Sequence, residues 1–380
     1  MVYRNLLLAV VLSSVLMSAP SLAREQWTKQ QANDWYDNQP WIVGANYTPS
    51  SAVNAIEMWH PDTFDLETID RELGLAASIG MNSMRVFLHN LVWENGGRDF
   101  KERINQFLNI SDKYDIRILF VLFDSDWDPN PVYGTQKPPV PGVHNSRWVQ
   151  APGEARLRDA SRYHKLQGYV QDIVGTFAND PRVIGWDVWN EPSSPGGGNY
   201  KSAPDKGEYV ALLLPQVYEW ARSADPSQPL TSGVWIGPDW DHEDKLGEIE
   251  RIQLSQSDVN SFHDYGWPES FETRVKQLMS YGRPIIATEY MARGSGSTFD
   301  GTLPLGKKYN VGMYNWGLVD GKTQTRFPWD SWLRPYTEFE PTVWFHEVFH
   351  ADGTPYRQAE VDLIRRLTAA PKGVVPVAAE

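Results

Sequence analysis

Eight short apolar segments recur along the chain, and each is followed by a loop and then by a stretch with helical periodicity. They cover residues 41–47, 83–89, 116–124, 183–189, 230–235, 259–265, 284–289 and 311–316. The segments lack the alternation of polar and apolar residues that a half-exposed strand shows. They therefore predict strands that are buried on both faces.

The stretches between these segments place apolar residues three and four positions apart, as one face of a helix requires. The spacing is seen for Ile69, Leu73 and Ala76, for Ile104, Phe107 and Leu108, and for Val361, Ile364 and Leu367. Further helices are predicted at 158–177, 207–223 and 270–280. Strands that alternate with helices over roughly 250 residues or more predict an α/β fold, a single-domain (β/α)8 TIM barrel with long βα loops.

A doubly wound open sheet is the structural alternative. Such a sheet would carry a glycine-rich phosphate-binding turn after its first strand. Residues 44–49 read Gly-Ala-Asn-Tyr-Thr-Pro, which is not such a turn. The sequence therefore favours the barrel.

One long insertion separates the third strand from the next helix. Residues 125–157 contain six prolines together with Trp127, Tyr133 and Trp148. Loops of this length are usually functional or disordered, and the aromatic side chains favour a wall of a binding cleft. We interpret the insertion as a loop that walls such a cleft.

Composition adds a ligand class to this picture. The chain has 17 Trp, 17 Tyr and 14 Phe, and flat apolar rings stack well on the faces of sugars. Its formal net charge of -13 argues against nucleic acid, whose phosphates would be repelled, and less firmly against an anionic polysaccharide. The expected partner is a carbohydrate.

The first residues resemble an export signal. Residues 1–4 are short and basic, residues 6–17 are apolar, and small residues at 21–23 precede Arg24. We predict a signal peptide at 1–23, a catalytic domain at 24–380, and an exported protein that is periplasmic or secreted. An uncleaved anchor is the alternative, and no later segment is apolar enough to span a bilayer. The chain contains no cysteine, so a large core must supply its stability.

Two predicted strands end in a glutamate. The fourth strand is followed by Asn190 and Glu191, and the seventh ends at Glu289. A barrel spends roughly 31 residues on each β/α unit, so these ends lie about three units apart and face each other across the barrel mouth. Each glutamate alone could be an ordinary surface carboxylate, but together they suit glycosidic bond cleavage.

The sequences Trp-Asn-Glu-Pro at 189–192 and Ala-Thr-Glu-Tyr at 287–290 resemble glycoside hydrolase family 5, or a close relative in clan A of the retaining glycosidases. The likeness runs in order from about Trp41 to Leu367. It implies that Glu191 is the acid/base and Glu289 the nucleophile.

The same resemblance implies roles for five further positions. They are Arg85 as the brace of the nucleophile, Asn190 at the sugar 2-hydroxyl, His263 and Tyr265 as the strand-six pair, and Trp316 as a platform under the sugar. One departure stands after strand three, where many members carry a histidine and this chain reads Phe-Asp-Ser-Asp-Trp at 123–127. The sugar subsite nearest to it is therefore expected to differ.

The predicted function is a retaining glycoside hydrolase that uses neither a cofactor nor a metal. Its substrate would be a β-linked glycan, or an α-linked L-arabino-type furanoside. A carbohydrate-binding barrel without catalysis is the alternative from another class, and two intact glutamates disfavour it.

A zinc protease is a further alternative, because His346-Glu347-Val348-Phe349-His350 matches the pattern of two histidines one helical turn apart. A third ligand is needed, and no clear scaffold follows, so we favour an ordinary packed or surface helix here. Similarly, alternating aspartates at 124, 126 and 128 could indicate calcium, but a solvated acidic loop is the simpler expectation.

Overall fold

The computed structural model describes residues 23–376. The predicted signal peptide therefore lies outside the described residues, apart from Ala23. Within the described range, no helix has both the length and the apolar character that crossing a bilayer demands.

Eight parallel strands form one sheet in the described residues. They are β1 (Val43–Asn46), β2 (Ser83–Phe87), β3 (Arg117–Val121), β4 (Val183–Asp187), β5 (Leu230–Thr231), β6 (Asn260–His263), β7 (Ile285–Tyr290) and β8 (Gly312–Trp316). Each of them falls on one of the eight predicted apolar segments, and nearly every strand residue is buried. The prediction of strands covered on both faces is confirmed.

The sheet closes on itself. Its strand order is β5-β4-β3-β2-β1-β8-β7-β6, so only β5 and β6 lack a ladder between them. Backbone hydrogen bonds bridge that gap, since the Val234 N–H donates to the Ser261 carbonyl at 3.0 Å and the His263 N–H donates to Val234 at 3.0 Å. The fold is a (β/α)8 barrel, and the open-sheet alternative is wrong.

Twelve α-helices in the described residues surround the barrel or cover its ends. They are α1 (Lys29–Asp37), α2 (Ala55–Trp59), α3 (Leu66–Ser78), α4 (Asn90–Glu94), α5 (Gly97–Lys113), α6 (Glu154–Leu157), α7 (Tyr163–Thr176), α8 (Lys206–Ser223), α9 (Glu248–Gln256), α10 (Pro268–Met279), α11 (Phe299–Lys308) and α12 (Gln358–Ala369). The predicted apolar faces of α3, α5 and α12 are all buried. The helix predicted at 158–177 begins later, at Tyr163, because Ala160–Arg162 form a separate 3-10 turn.

The amino-terminal mouth of the barrel is plugged by α1. Thr28 caps this helix through a reciprocal pair of hydrogen bonds with Gln31. Its buried residues Ala32 and Tyr36 share an apolar cluster with side chains from several strands, including Ile184 near the start of β4. The carboxyl-terminal mouth is therefore the end of the barrel that is available to a ligand.

The segment His346–His350 is not a helix, which corrects the sequence expectation. It lies in the irregular loop after β8, where the Val348 and Phe349 N–H groups both donate to the Leu318 carbonyl. Glu347 adopts a φ of 65°, which an α-helix excludes. Strand-like bonding has overridden the local spacing, so the two histidines do not lie one helical turn apart. Among the described residues, they join no group of three potential metal ligands.

Candidate active site

The carboxyl-terminal mouth of the barrel holds a cavity of about 290 Å³. Six tryptophans contribute to its lining, which are Trp127, Trp148, Trp235, Trp316, Trp329 and Trp332. Three carboxyl groups also face it, those of Asp126, Glu191 and Glu289. The long insertion after β3 supplies five of the lining residues, consistent with its interpretation as a cleft wall.

The two predicted glutamates meet in this cavity. Glu289 lies within β7, while Glu191 follows β4 with a φ of 42°. This left-handed conformation is costly for a residue with a side chain, and such strain is concentrated at functional sites. One carboxylate oxygen of Glu191 lies within 4.8 Å of one of Glu289. This limit suits the separation of about 5–5.5 Å that accompanies double displacement and lies below the roughly 6.5–9.5 Å of inverting enzymes.

Arg85 lies below the cavity at the centre of the barrel, with no exposed surface. Its Nη1 donates to Glu289 Oε1 at 2.8 Å and to Asn46 at 2.7 Å, and its Nε and Nη2 donate to Asp187 Oδ2 at 3.0 and 2.7 Å. Burial by itself lowers the pKa of Arg85, but the carboxylates of Asp187 and Glu289 outweigh that effect and raise it. The guanidinium is thus a fixed positive charge beneath Glu289.

Two side chains from the end of β6 hold the glutamates from the other side. The Tyr265 hydroxyl donates to Glu289 Oε2 at 2.7 Å, and His263 Nδ1 lies 2.6 Å from Glu191 Oε1. Burial lowers the pKa of His263 to about 4, so the imidazole is neutral near pH 7. Its contact with Glu191 is therefore a hydrogen bond that shares one proton, not an ion pair.

Asn190 is bonded at both ends of its amide. Its Oδ1 accepts from Arg85 Nη2 at 2.7 Å, and its Nδ2 donates to Asp124 at 2.9 Å and to Asp126 at 3.1 Å. The expectation of a solvated acidic loop is wrong for these two aspartates. Asp124 is buried and also accepts from Trp148 Nε1 at 2.6 Å, because the loop after β3 turns back over the barrel.

Asp126 and Glu191 form a carboxyl pair. Both line the cavity and each shifts the pKa of the other, while the Ser194 hydroxyl donates to Asp126 Oδ1. Burial raises the pKa of Glu191 well above its ordinary value, and the charge of Glu289 raises it further. Burial and the neighbouring Glu191 likewise raise the pKa of Asp126. Burial and mutual repulsion therefore favour a proton on the pair, and either carboxyl can carry it.

The structure brings the seven sequence-predicted site residues together in two layers. Asn190, Glu191, Tyr265, Glu289 and Trp316 line the cavity. Arg85 and His263 lie directly below and contact the glutamates. The lower pair acts on the glutamates from beneath the cavity surface.

Several lining residues escaped the sequence reasoning. Asp126 lies in the segment 123–127, where the chain departs from family 5. That departure could have indicated a different residue in the site. His346 lines the cavity with its Nδ1 2.6 Å from the Met291 carbonyl, although the sequence had offered it only as half of a zinc motif. Trp235 also lines the cavity, and its Nε1 donates to Ser193 Oγ at 3.0 Å. Its place at the end of the predicted strand 230–235 could have indicated a site residue.

One group in the site has the geometry to hold a cation. Glu191, His263 and Glu289 bring potential ligand atoms within 4.8 Å of one another. However, both oxygens of Glu289 already accept hydrogen bonds, from Arg85 and from Tyr265. Arg85 therefore already supplies a positive charge next to Glu289.

Comparisons with known proteins bear on this site. A family model described as "Glycosyl hydrolases family 2, TIM barrel domain" matches residues 150–321. The β-glucuronidase of Homo sapiens is 27% identical over 141 residues, which is 36% of this chain and 19% of that protein. The β-glucuronidase of Paenibacillus borealis is 25% identical over 149 residues, 38% of this chain and 22% of that protein. The chain thus matches about a fifth of the length of these curated relatives.

Solved structures match over more of the chain. GH5_18 from Streptomyces cattleya, in complex with GlcNAc, has a TM-score of 0.57 at 13% identity and covers 89% of this chain and 82% of its own. The exo-β-1,4-mannosidase Op5Man5 from an Opitutaceae bacterium has a TM-score of 0.54 at 18% identity, covering 85% of this chain and 59% of its own. The β-mannanase of the blue mussel Mytilus edulis has a TM-score of 0.52 at 16% identity, covering 78% and 90%. At these identities the likeness shows the fold.

The chain carries a barrel similar to those of the clan A glycoside hydrolases. The predicted resemblance to this clan is confirmed, with a family 2 sequence match and family 5 structural neighbours. The matched range 150–321 includes both glutamates of the clan A barrel. Arg85 and the loop after β3 up to residue 149 lie outside it, so this match does not cover them.

Arg85→Met should destabilise the clan A barrel severely. The change leaves the buried carboxylates of Asp187 and Glu289 without their cation, a loss worth about 3–5 kcal/mol in buried pairs. The free energy of unfolding in urea measures it. Arg98→Met is the control, because Arg98 pairs with Asp99 on the exposed surface and should unfold like the parent. Equal stability of the two variants would contradict the central role of Arg85.

Proposed function

We propose that this protein is a retaining glycosidase that hydrolyses O-glycosyl bonds in a β-linked glycan by double displacement. The observation that carries the proposal is the oxygen separation of Glu191 and Glu289, within 4.8 Å inside one cavity. That gap has room for one anomeric centre and is too narrow for the intervening water of an inverting enzyme.

The surroundings of each glutamate support one role. Glu289 accepts hydrogen bonds from Arg85 and Tyr265, which stabilise its charge and orient it as the nucleophile. Glu191 lies in the carboxyl pair with Asp126, where burial and the charge of Glu289 raise its pKa, as suits an acid. His263 accepts or donates the remaining hydrogen bond to Glu191 and fixes its orientation.

The reaction follows from these roles. Glu191 gives its proton to the glycosidic oxygen while a Glu289 oxygen attacks the anomeric carbon, so the carbon–oxygen bond breaks and the alcohol leaves. Glu191, now ionised, takes a proton from water, whose oxygen attacks the same carbon and releases Glu289. Two inversions return the original anomeric configuration.

The cavity favours an uncharged sugar. In the described residues, no lysine or arginine lines it, while Asp126, Glu191 and Glu289 do. A uronate carboxylate would meet like charges there without a compensating cation. The aromatic lining suits the apolar faces of neutral sugars. We therefore propose a neutral glycoside as substrate, unlike the substrate named for the β-glucuronidase relatives.

We also propose that the protein is exported. The support is the order of basic, apolar and small residues within 1–23. A β-glycan outside the cytoplasm would then be accessible to it.

Glu191→Gln and Glu289→Gln should each lower kcat on an aryl β-glycoside by orders of magnitude, because each removes one step of the displacement. Melting curves should remain close to that of the parent. Glu340→Gln changes an exposed glutamate in the loop after β8 and should leave kcat unchanged. Near-parental turnover in either site variant would contradict the assignment and favour a barrel that only binds carbohydrate.

Azide should separate the roles of the two glutamates. With an activated aryl β-glycoside, Glu191→Ala should yield the β-glycosyl azide, because azide attacks the accumulated glycosyl-enzyme. Glu289→Ala should yield the α-glycosyl azide by direct displacement. Nuclear magnetic resonance of the products distinguishes the two, and the opposite pattern would exchange the roles.

Asp126→Asn should move the alkaline limb of the kcat/KM profile to lower pH. Without the second carboxyl, loss of the shared proton no longer creates two adjacent negative charges, so Glu191 ionises more easily. Asp128→Asn is the matched control two residues along the same loop, where the carboxylate accepts from the Asn130 N–H. An unmoved limb in Asp126→Asn would show that Asp126 does not share the proton of Glu191.

Neutral aryl β-glycosides should be hydrolysed with a far higher kcat/KM than the corresponding aryl β-D-glucuronide. The reason is the repulsion between a substrate carboxylate and the three carboxyl groups of the cavity. A panel of glucoside, mannoside, galactoside, xyloside, L-arabinofuranoside and glucuronide measures the preference. A glucuronide among the best substrates would refute the proposed neutral specificity.

A further inference from the structure

Two long loops are fastened to each other above the barrel mouth, one after β3 and one after β8. The His144 N–H donates to Ser331 Oγ at 2.9 Å, and its Nδ1 lies 2.8 Å from the Phe327 carbonyl. The Asn145 N–H donates to the Thr323 carbonyl at 2.8 Å. Because β2 and β1 lie between β3 and β8 in the sheet, the joined loops form a wall over the ends of β1 and β2.

The loop after β1 supports this wall from outside. Asn54 Nδ2 donates to the Arg147 carbonyl at 2.7 Å, and Lys322 Nζ donates to Glu57 Oε1 at 2.8 Å. Both loops of the wall are thereby bonded to the loop after β1, which restricts their movement away from the barrel mouth.

The loop after β4 continues the wall on one side. Trp127 and Trp332 stack with their ring centroids 5.4 Å apart, and the backbone of Gly197 and Gly198 packs directly on the two rings. A Cβ at either glycine would overlap a tryptophan. Lys206 Nζ further ties this loop to the one after β3, through the Ser125 and Ser194 carbonyls at 2.6 and 2.9 Å.

The wall also continues on the opposite side. Trp329, from the loop after β8, packs edge-on against Tyr265 at the end of β6, with centroids 5.4 Å apart. His346 joins the same loop to Met291 after β7. Trp235, after β5, donates to Ser193 after β4. In the described part of the chain, these contacts link the loops around the mouth from β5 through β4, β3, β8 and β7 to β6.

The space behind the site is too small for a second sugar. Beyond the Trp148 and Trp316 rings, whose centroids lie 5.9 Å apart, a separate cavity of about 20 Å³ is lined by Asn46 and Glu347. Such a volume holds about one water molecule. The main cavity, at about 290 Å³, lies at the small end of ligand pockets and suits one sugar with part of its leaving group.

We propose that the site accepts only the sugar at the non-reducing end of a glycan, so the protein releases single sugars and does not cut within a chain. The inference rests on the proposed glycosidase function. A glycan that is cut internally must pass across the site and extend out of it on both sides. The wall of joined loops, which we call the rim, prevents such passage. The fold alone does not decide the matter, since the structural neighbours include an exo-β-1,4-mannosidase and a β-mannanase.

The positions of the glutamates set the direction of entry. In the proposed mechanism the anomeric carbon would lie between Glu191 and Glu289, with the glycosidic oxygen facing Glu191. The rest of the ring would then have the Trp316 and Trp148 side of the cavity to occupy. The leaving group would point to the side of Glu191 and Trp235. The sugar in the cavity must then be the one at the non-reducing end, because only that sugar carries no further glycosidic link.

Oligosaccharides of about five β-linked sugars with a fluorescent label at the reducing end test this proposal. The oligosaccharides consist of the sugar whose aryl glycoside the protein cleaves best. Successive time points should show labelled products that shorten by one sugar at a time, with free monosaccharide appearing in step. The same oligosaccharide with its terminal non-reducing hydroxyls blocked by a benzylidene acetal should resist hydrolysis.

The outcomes separate the two proposals. Aryl glycoside hydrolysis that depends on Glu289 tests the glycosidase function by itself. If it occurs while early products contain internal cleavage fragments, or the blocked substrate is cut, terminal action is overturned and the glycosidase remains. Monosaccharide release from the labelled end would overturn the direction of entry. No hydrolysis of any aryl glycoside or glycan would overturn both.

Gln324→Ala tests the rim as the cause. Gln324 lies outside the cavity lining and fastens the loops, because its Nε2 donates to the Val140 carbonyl at 2.7 Å and its Oε1 accepts from the Gly142 N–H at 3.1 Å. The variant should keep its aryl glycosidase kcat within about twofold and gain fragments of two or more unlabelled sugars. Gln358→Ala, on the exposed side of α12, is the control. An unchanged product pattern in a folded, active Gln324→Ala would remove the rim as the reason for terminal action.

Discussion

The buried guanidinium of Arg85 is the interaction on which the rest of the site depends. It lies inside a closed barrel without exposed surface and binds two carboxylates and two amides. A charge in this position is tolerated only because its partners surround it, and its partners are fixed for the same reason. Glu289 and Asn190 therefore reach the cavity floor from a rigid layer beneath it.

Negative charge accumulates above this layer. Three carboxyl groups face a cavity whose walls are mainly aromatic, and the imidazole of His263 is neutral there. The balance between them favours one shared proton in the Asp126 and Glu191 pair. The same charges make the cavity suitable for neutral hydroxyl groups and unfavourable for anions. Chemistry and specificity thus follow from one distribution of charge.

The enclosure of the cavity has a different origin. It is built from long loops after β3, β4 and β8, whose contacts join residues almost two hundred positions apart, as for His144 and Ser331. Aromatic rings fill the space between these loops, and glycines at 197 and 198 allow the backbone to approach them. The loops thereby turn the open end of a barrel, which could host a groove, into a pocket.

Much of the fold was predictable from local pattern, because burial on both faces of a strand leaves a continuous apolar run. All eight strands were located in this way, and the start of α7 was misplaced because a 3-10 turn occupies Ala160–Arg162. Glu191 and Glu289 could be paired from strand order alone, because the carboxyl ends of parallel strands meet at one mouth. Asp126 could not be placed there, because its contact with Glu191 depends on the path of a loop. No periodic pattern of apolar residues indicates that path.

The sequence by itself determined which strand ends carry reactive side chains. The reason is that a local run of apolar residues marks where each buried strand begins and ends. The tertiary structure alone decided which of those side chains touch, that residues 346–350 bond like a strand and not a helix, and that the loops close around the mouth. The physical reason is that such contacts join residues far apart in the chain. Their energy depends on the packing of whole loops, which no short window of sequence records.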